Sequence, residues 1–103
     1  QFTEIQLSNM HNMLGMVQKA MQHMASIVEA ILSGNHVDYN TSYNLENEIN
    51  NYRKQLKNRN LQDVDAKLYS YQLGVFYIDF ISECEKLGDY ILNVVQATKA
   101  EKV

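Results

Sequence analysis

The stretch Met10–Ile31, MHNMLGMVQKAMQHMASIVEAI, decides the fold. Its apolar residues fall at Met10, Met13, Val17, Ala20, Met24, Ile27 and Ile31, alternating steps of three and four, the seam that a helix turns toward a neighbour. A second row, Leu7, Leu14, Met21 and Val28, repeats every seven residues beside the first and widens the apolar arc beyond a two-stranded seam. A helix with such a face packs against two neighbours. The methionines read as core filling rather than as a soft-metal site. His11 and His23 lie about 120° apart around the helix and several turns distant, so they cannot share an ion. Working outward, Thr3 and Gln6 form a capping box at the start, and Gly34, within Ser33-Gly34-Asn35, suits the left-handed cap at the end.

Downstream, capping residues between Asn35 and Ser42 open a second helix expected over 37–58, with an apolar stripe of Leu45, Ile49, Tyr52 and Leu56. Glu46, Asn50, Arg53 and Lys57 run beside it as a polar row. Residues 58–62 read as a turn, and Asp63 or Asp65 would charge-stabilise the start of a third helix, expected over 63–100 and the longest of the three. Its stripe is Leu73, Phe76, Phe80, Cys84, Leu87, Ile91 and Val94, with Tyr77, Ile81 and Val95 flanking, and Cys84 a small, unreactive core residue. The expected fold class is all-α, an antiparallel three-helix bundle.

Within the third helix, Glu83–Asp89 reads Glu-Cys-Glu-Lys-Leu-Gly-Asp. Glu85 and Asp89, four apart, stack on one face and repel by a few tenths of a kcal/mol, roughly, without a compensating cation. Gly88 adds about 1 kcal/mol of helix cost relative to alanine, which points to a close approach at its backbone. Such a pair is ordinarily a solvated helix edge; beside the apolar arc it is also a candidate metal or partner site. Glu46, Asn50 and Arg53 are expected to face the same groove, with the Arg53 fork bridging carboxylates.

Composition bounds the rest. The 103 residues make one domain, 1–103, with no proline and four glycines. A net charge of −3 with scattered basic residues argues against nucleic acid. The single cysteine allows no internal disulfide and points to a reducing compartment, and no Cys/His pair has zinc spacing. Asn40-Thr41-Ser42 is taken as a chance sequon. No apolar run spans a bilayer and no signal peptide opens the chain, so direct membrane insertion is not expected and the piece reads as soluble. A helix pattern that begins almost at Gln1 suggests a domain excised from a longer protein.

Residues 44–97 resemble a PhoU-like domain of the kind attached to bacterial sodium/phosphate cotransporters. The resemblance rests on Glu46-Asn47-Glu48-Ile49-Asn50-Asn51-Tyr52-Arg53, on Gly74-Val75-Phe76-Tyr77-Ile78-Asp79, and on Glu85-Lys86-Leu87-Gly88-Asp89-Tyr90-Ile91-Leu92-Asn93-Val94-Val95. It implies a single three-helix unit. It also implies Glu/Asp-x-x-x-Asp motifs that can hold iron or zinc, a pattern Glu85 and Asp89 fit, whereas Glu46 is followed by Asn50, an amide that binds cations much more weakly than a carboxylate. Glu85, Asp89 and Glu46 are thus the candidate ligands of a weakly held divalent or iron-group ion, with Asn50 and Arg53 lining a partner groove. The resemblance further implies a regulatory, non-enzymatic domain at the cytoplasmic face of the inner membrane, joined to the transmembrane part of the same polypeptide. The unequal helices and the wide stripe of helix 1 suggest a homodimer. The alternatives are a structural dimerisation module without ligand and a carboxylate-bridged metalloenzyme, the latter disfavoured because no Glu-x-x-His pair occurs.

Overall fold

A computed structural model describes residues 1–100 and contains three helices: α1 (Glu4–Ser33), α2 (Tyr39–Asp65) and α3 (Tyr71–Ala100). Each packs on both others, and no strand occurs among the described residues, so the all-α three-helix bundle is the observed architecture. Direction follows from long-range bonds. Asn9 near the start of α1 donates to Tyr77 near the start of α3, whereas Tyr39 at the start of α2 meets Thr98 near the end of α3. α1 and α3 therefore run parallel, with α2 antiparallel to both, in a body 54 Å long.

The ends of α1 are those its sequence specifies. Thr3 N–H donates to Gln6 Oε1 at 2.9 Å and Gln6 N–H to Thr3 Oγ1 at 3.1 Å, the reciprocal capping box. Gly34 adopts φ 73°, and the amides of Gly34 and Asn35 reach back to the carbonyls of Ile31 and Ala30. The helix runs unbroken through Gly15. α2 begins after Asp38, whose carboxylate accepts from Thr41 N–H.

The far end of α2 departs from expectation. Residues 58–62 are not a turn, and Asp63 and Asp65 belong to α2 rather than to the start of α3. The helix stops about two turns past its expected end, through Lys67 at φ 59°, with Lys67 N–H bonded to Val64 O and Leu68 N–H to Asp63 O. This is the same closing pattern as at Gly34, but built without glycine, so composition does not announce it. Ser70 then caps α3 by accepting from Leu73 N–H. α3 is consequently no longer than α1; both have 30 residues.

The core has two sections. The larger contains Met13, Val17, Ala20, Ile49, Leu56, Tyr77, Ile81 and Cys84. The smaller, Ile27, Val37 and Val95, closes the other end. On α3 the buried line is Gly74, Tyr77, Ile81, Cys84, Gly88 and Val95, so the expected centre is rotated: Phe76, Leu87 and Val94 are about half exposed. The glycines explain the rotation. A Cβ at Gly74 would lie 2.9 Å from Val64 Cγ2, and one at Gly88 would lie 3.2 Å from Ile49 Cδ1, so α3 turns its smallest residues toward α2 to let the helices approach.

Candidate functional site

The sequence pattern on α2 that places Glu46, Asn50 and Arg53 one above another also turns them toward α3, because Ile49 on the adjoining stripe is driven into the core against Gly88. On α3, Glu85 and Asp89 flank Gly88 and point into the same groove. One carboxylate oxygen from each of Glu46, Glu85 and Asp89 lies within 4.8 Å of the other two. Glu46 and Glu85 are half-buried and Asp89 is exposed. The close approach that Gly88 permits is what brings the acids of two helices together; its occupant is Ile49 of the same chain.

Arg53 supplies the compensating charge. Its Nε stands 3.7 Å from Glu85 Oε1, and its Nη2 donates to Asn50 Oδ1 at 3.3 Å. The five expected site residues therefore occupy one groove. Burial pushes the Glu46 carboxyl up from its ordinary value, with Asp89 beside it adding to the rise. Burial likewise raises Glu85, Asp89 reinforces it, and the Arg53 guanidinium opposes it. The two half-buried acids hold protons more readily because three negative charges share a poorly hydrated space with one positive charge.

The donor set fits a single oxygen-preferring divalent ion better than a multinuclear cluster. Three carboxylates supply hard ligands. Asn50 Oδ1, the candidate fourth, already accepts from Arg53, whose guanidinium also stands against Glu85 where a cation would reside. Any ion here competes with a built-in arginine. Ser42, one turn before Glu46, also belongs to this region: it is buried, its hydroxyl has no hydrogen-bond partner among the described residues, and it lines a narrow cleft with Glu46 and Gly88. Its place four residues ahead of Glu46 on the polar row is the signal that could have found it.

A second polar cluster escaped the sequence reading. Asn9 donates to Tyr77 Oη at 3.0 Å and accepts from Tyr52 Oη at 3.2 Å, joining all three helices at one level. Asn9 lies one turn before Met13 and next to Met10, so a polar residue at the border of the apolar seam was the available clue.

Compared with protein-family models, with curated protein sequences and with solved structures, the chain matches none. No helix among the described residues is long and apolar enough to cross a membrane.

Proposed function

We infer that this bundle is a non-enzymatic regulatory module of a sodium-dependent phosphate transporter, acting at the cytoplasmic membrane face through partner contact or self-association. The observation that carries the reading is the convergence of Glu46, Glu85 and Asp89 beside Arg53. These residues come from the two segments that resemble the PhoU-like pattern, and they form a charged groove between half-buried walls. Such a groove discriminates among partners: a basic group or a divalent ion displaces Arg53 from Glu85, whereas an acidic group is repelled. Coordination of a metal is weak in this reading, because the chain supplies its own cation.

The groove lies at the surface, so Asp89→Ala is expected to leave a cooperative thermal transition, shifted by less than about 1 kcal/mol. In cells producing the full-length polypeptide, the same substitution is expected to alter how sodium-dependent phosphate uptake responds to phosphate starvation. Unaltered uptake and response would sink the regulatory reading. A second reading, a dimerisation module without ligand, is favoured by a different observation: the row Leu7, Leu14, Met21 and Val28 stays exposed in the single chain.

A further inference from the structure

We propose that the α1–α3 face, centred on Leu7, Leu14, Met21, Val28, Leu87 and Val94, is covered by a second copy of this chain in an antiparallel two-fold arrangement. The proposal rests on the self-association part of the reading above and names its surface. Each of the six side chains is between 40 and 52 % exposed, although they continue the heptad pattern of the buried seam. On α3, Leu87 and Val94 repeat at the same seven-residue spacing as the α1 row. Because α1 and α3 run parallel, the two rows form one apolar strip along the molecule.

Three observations select a second copy as the occupant. The first is size. From Leu7 to Val28 the strip is about 32 Å long, and two adjoining helices are about 20 Å wide, so pairing it with itself buries roughly 1,200 Å² in total, the lower edge of a specific interface. The second is charge. A two-fold contact sets a surface against itself, so any net charge there repels; α1 carries only three charged residues, Glu4, Lys19 and Glu29, against eight on α2. On α3, Glu83 lies on the line of the strip, seven residues after Phe76 and four before Leu87, and its charge is offset by Lys86 at 3.1 Å.

The third observation is shape. At the C-terminal end of the strip, Val28, Ile31, Leu32, Val94, Ala97 and Thr98 line an apolar groove of about 350 Å³. At the opposite end, Phe76, 54 % exposed, projects from α3 about five helical turns before Val94 and therefore on the same face. An antiparallel two-fold axis seats the Phe76 ring of each copy in the groove of the other, so knob and hole are used twice. A parallel arrangement would set ring against ring and groove against groove.

Sedimentation of the intact chain at high micromolar concentration is expected to show a dimer. Phe76→Glu and Met21→Glu, both at exposed positions, are expected to raise its dissociation constant roughly tenfold or more, whereas Leu61→Glu, an exposed apolar position on α2, leaves it unchanged. Circular dichroism of each variant checks that the fold is retained. Mixing a Phe76→Cys chain with a Leu32→Cys chain under oxidising conditions is expected to give a cross-linked heterodimer. A dimer that all three glutamate variants leave intact would overturn this face while keeping self-association. Absence of the heterodimer cross-link would overturn the antiparallel arrangement. A chain that stays monomeric would remove both the interface and self-association, and binding of that monomer to phosphatidylcholine vesicles would assign the strip to lipid instead.

Discussion

Lys67 closes α2 in a conformation that side chains disfavour. Its φ of 59° lies where a Cβ crowds the following carbonyl, at about 1–2 kcal/mol per residue. Glycine at this position relieves that crowding but loses more backbone freedom on folding, by about 0.5–1 kcal/mol. Lys67→Gly is therefore expected to stabilise the bundle by about 0.5–1 kcal/mol, read as a higher denaturant midpoint at constant slope. Glu46 is a second residue whose placement costs stability. Burial, then Asp89, raises its folded carboxyl above the ordinary 4.5, so the folded state binds the proton more tightly than the unfolded chain. Stability accordingly falls as pH rises from about 4.5 through the raised value, then levels off. In the presence of a chelator, Glu46→Gln is expected to melt roughly 1–4 °C higher than the parent at neutral pH and to match it below that window. A parent that melts higher than the variant at neutral pH would mean that Arg53 more than offsets the burial.

Helix ends and helix contacts separate what is local from what is not. The start of α1 follows from Thr3 and Gln6, and its end from Gly34, because each cap is made by side chains or backbone freedom encoded within a few residues. The extension of α2 to Asp65 has no such local cause. Val64 packs over Gly74, and Asn60 Oδ1 accepts from Tyr69 Oη at 2.7 Å, so contacts with the next segment hold helical a stretch whose asparagines favour a turn. The two glycines of α3 should then respond differently to alanine. At Gly74 the new methyl meets Val64 Cγ2 at 2.9 Å and Asn60 Oδ1 at 3.0 Å, and Asn60 is held by its bond to Tyr69. At Gly88 its one tight contact is the terminal methyl of Ile49 at 3.2 Å, which can rotate away, while Ile49 Cγ2 stands at an ordinary 3.5 Å. Gly74→Ala is expected to cost about 1 kcal/mol net of its helix-propensity gain, and Gly88→Ala to be near neutral. Thermal melts of the two variants check the contrast, and equal behaviour would remove the steric account of the α2–α3 approach.

For the molecule as a whole, the single chain leaves an apolar strip of α1 and α3 exposed. If the strip is the dimer face, the melting temperature rises with protein concentration, because association favours the folded form by mass action. A melting temperature independent of concentration across the dimerisation range would separate the strip from stability. Inside the bundle, Asn9, Tyr52 and Tyr77 fix how the three helices line up, since a slip of any helix would leave buried hydroxyls without partners. The sequence by itself determined the helical class, the number of helices, both ends of α1 and the buried seam Met13, Val17, Ala20 and Ile27, because period and caps act within a few turns. It also placed Glu46, Asn50 and Arg53 on one face of α2 and Glu85 and Asp89 on one face of α3, since stacking at four residues is a property of any helix. Only the tertiary structure decided that these two faces meet, which line of α3 is buried, where α2 stops, and that Asn9 bonds both tyrosines. Each of those depends on how closely and at what rotation two helices approach, and that is set at Gly74 and Gly88 by the neighbouring side chains Val64, Asn60 and Ile49, not by the residues adjacent in sequence.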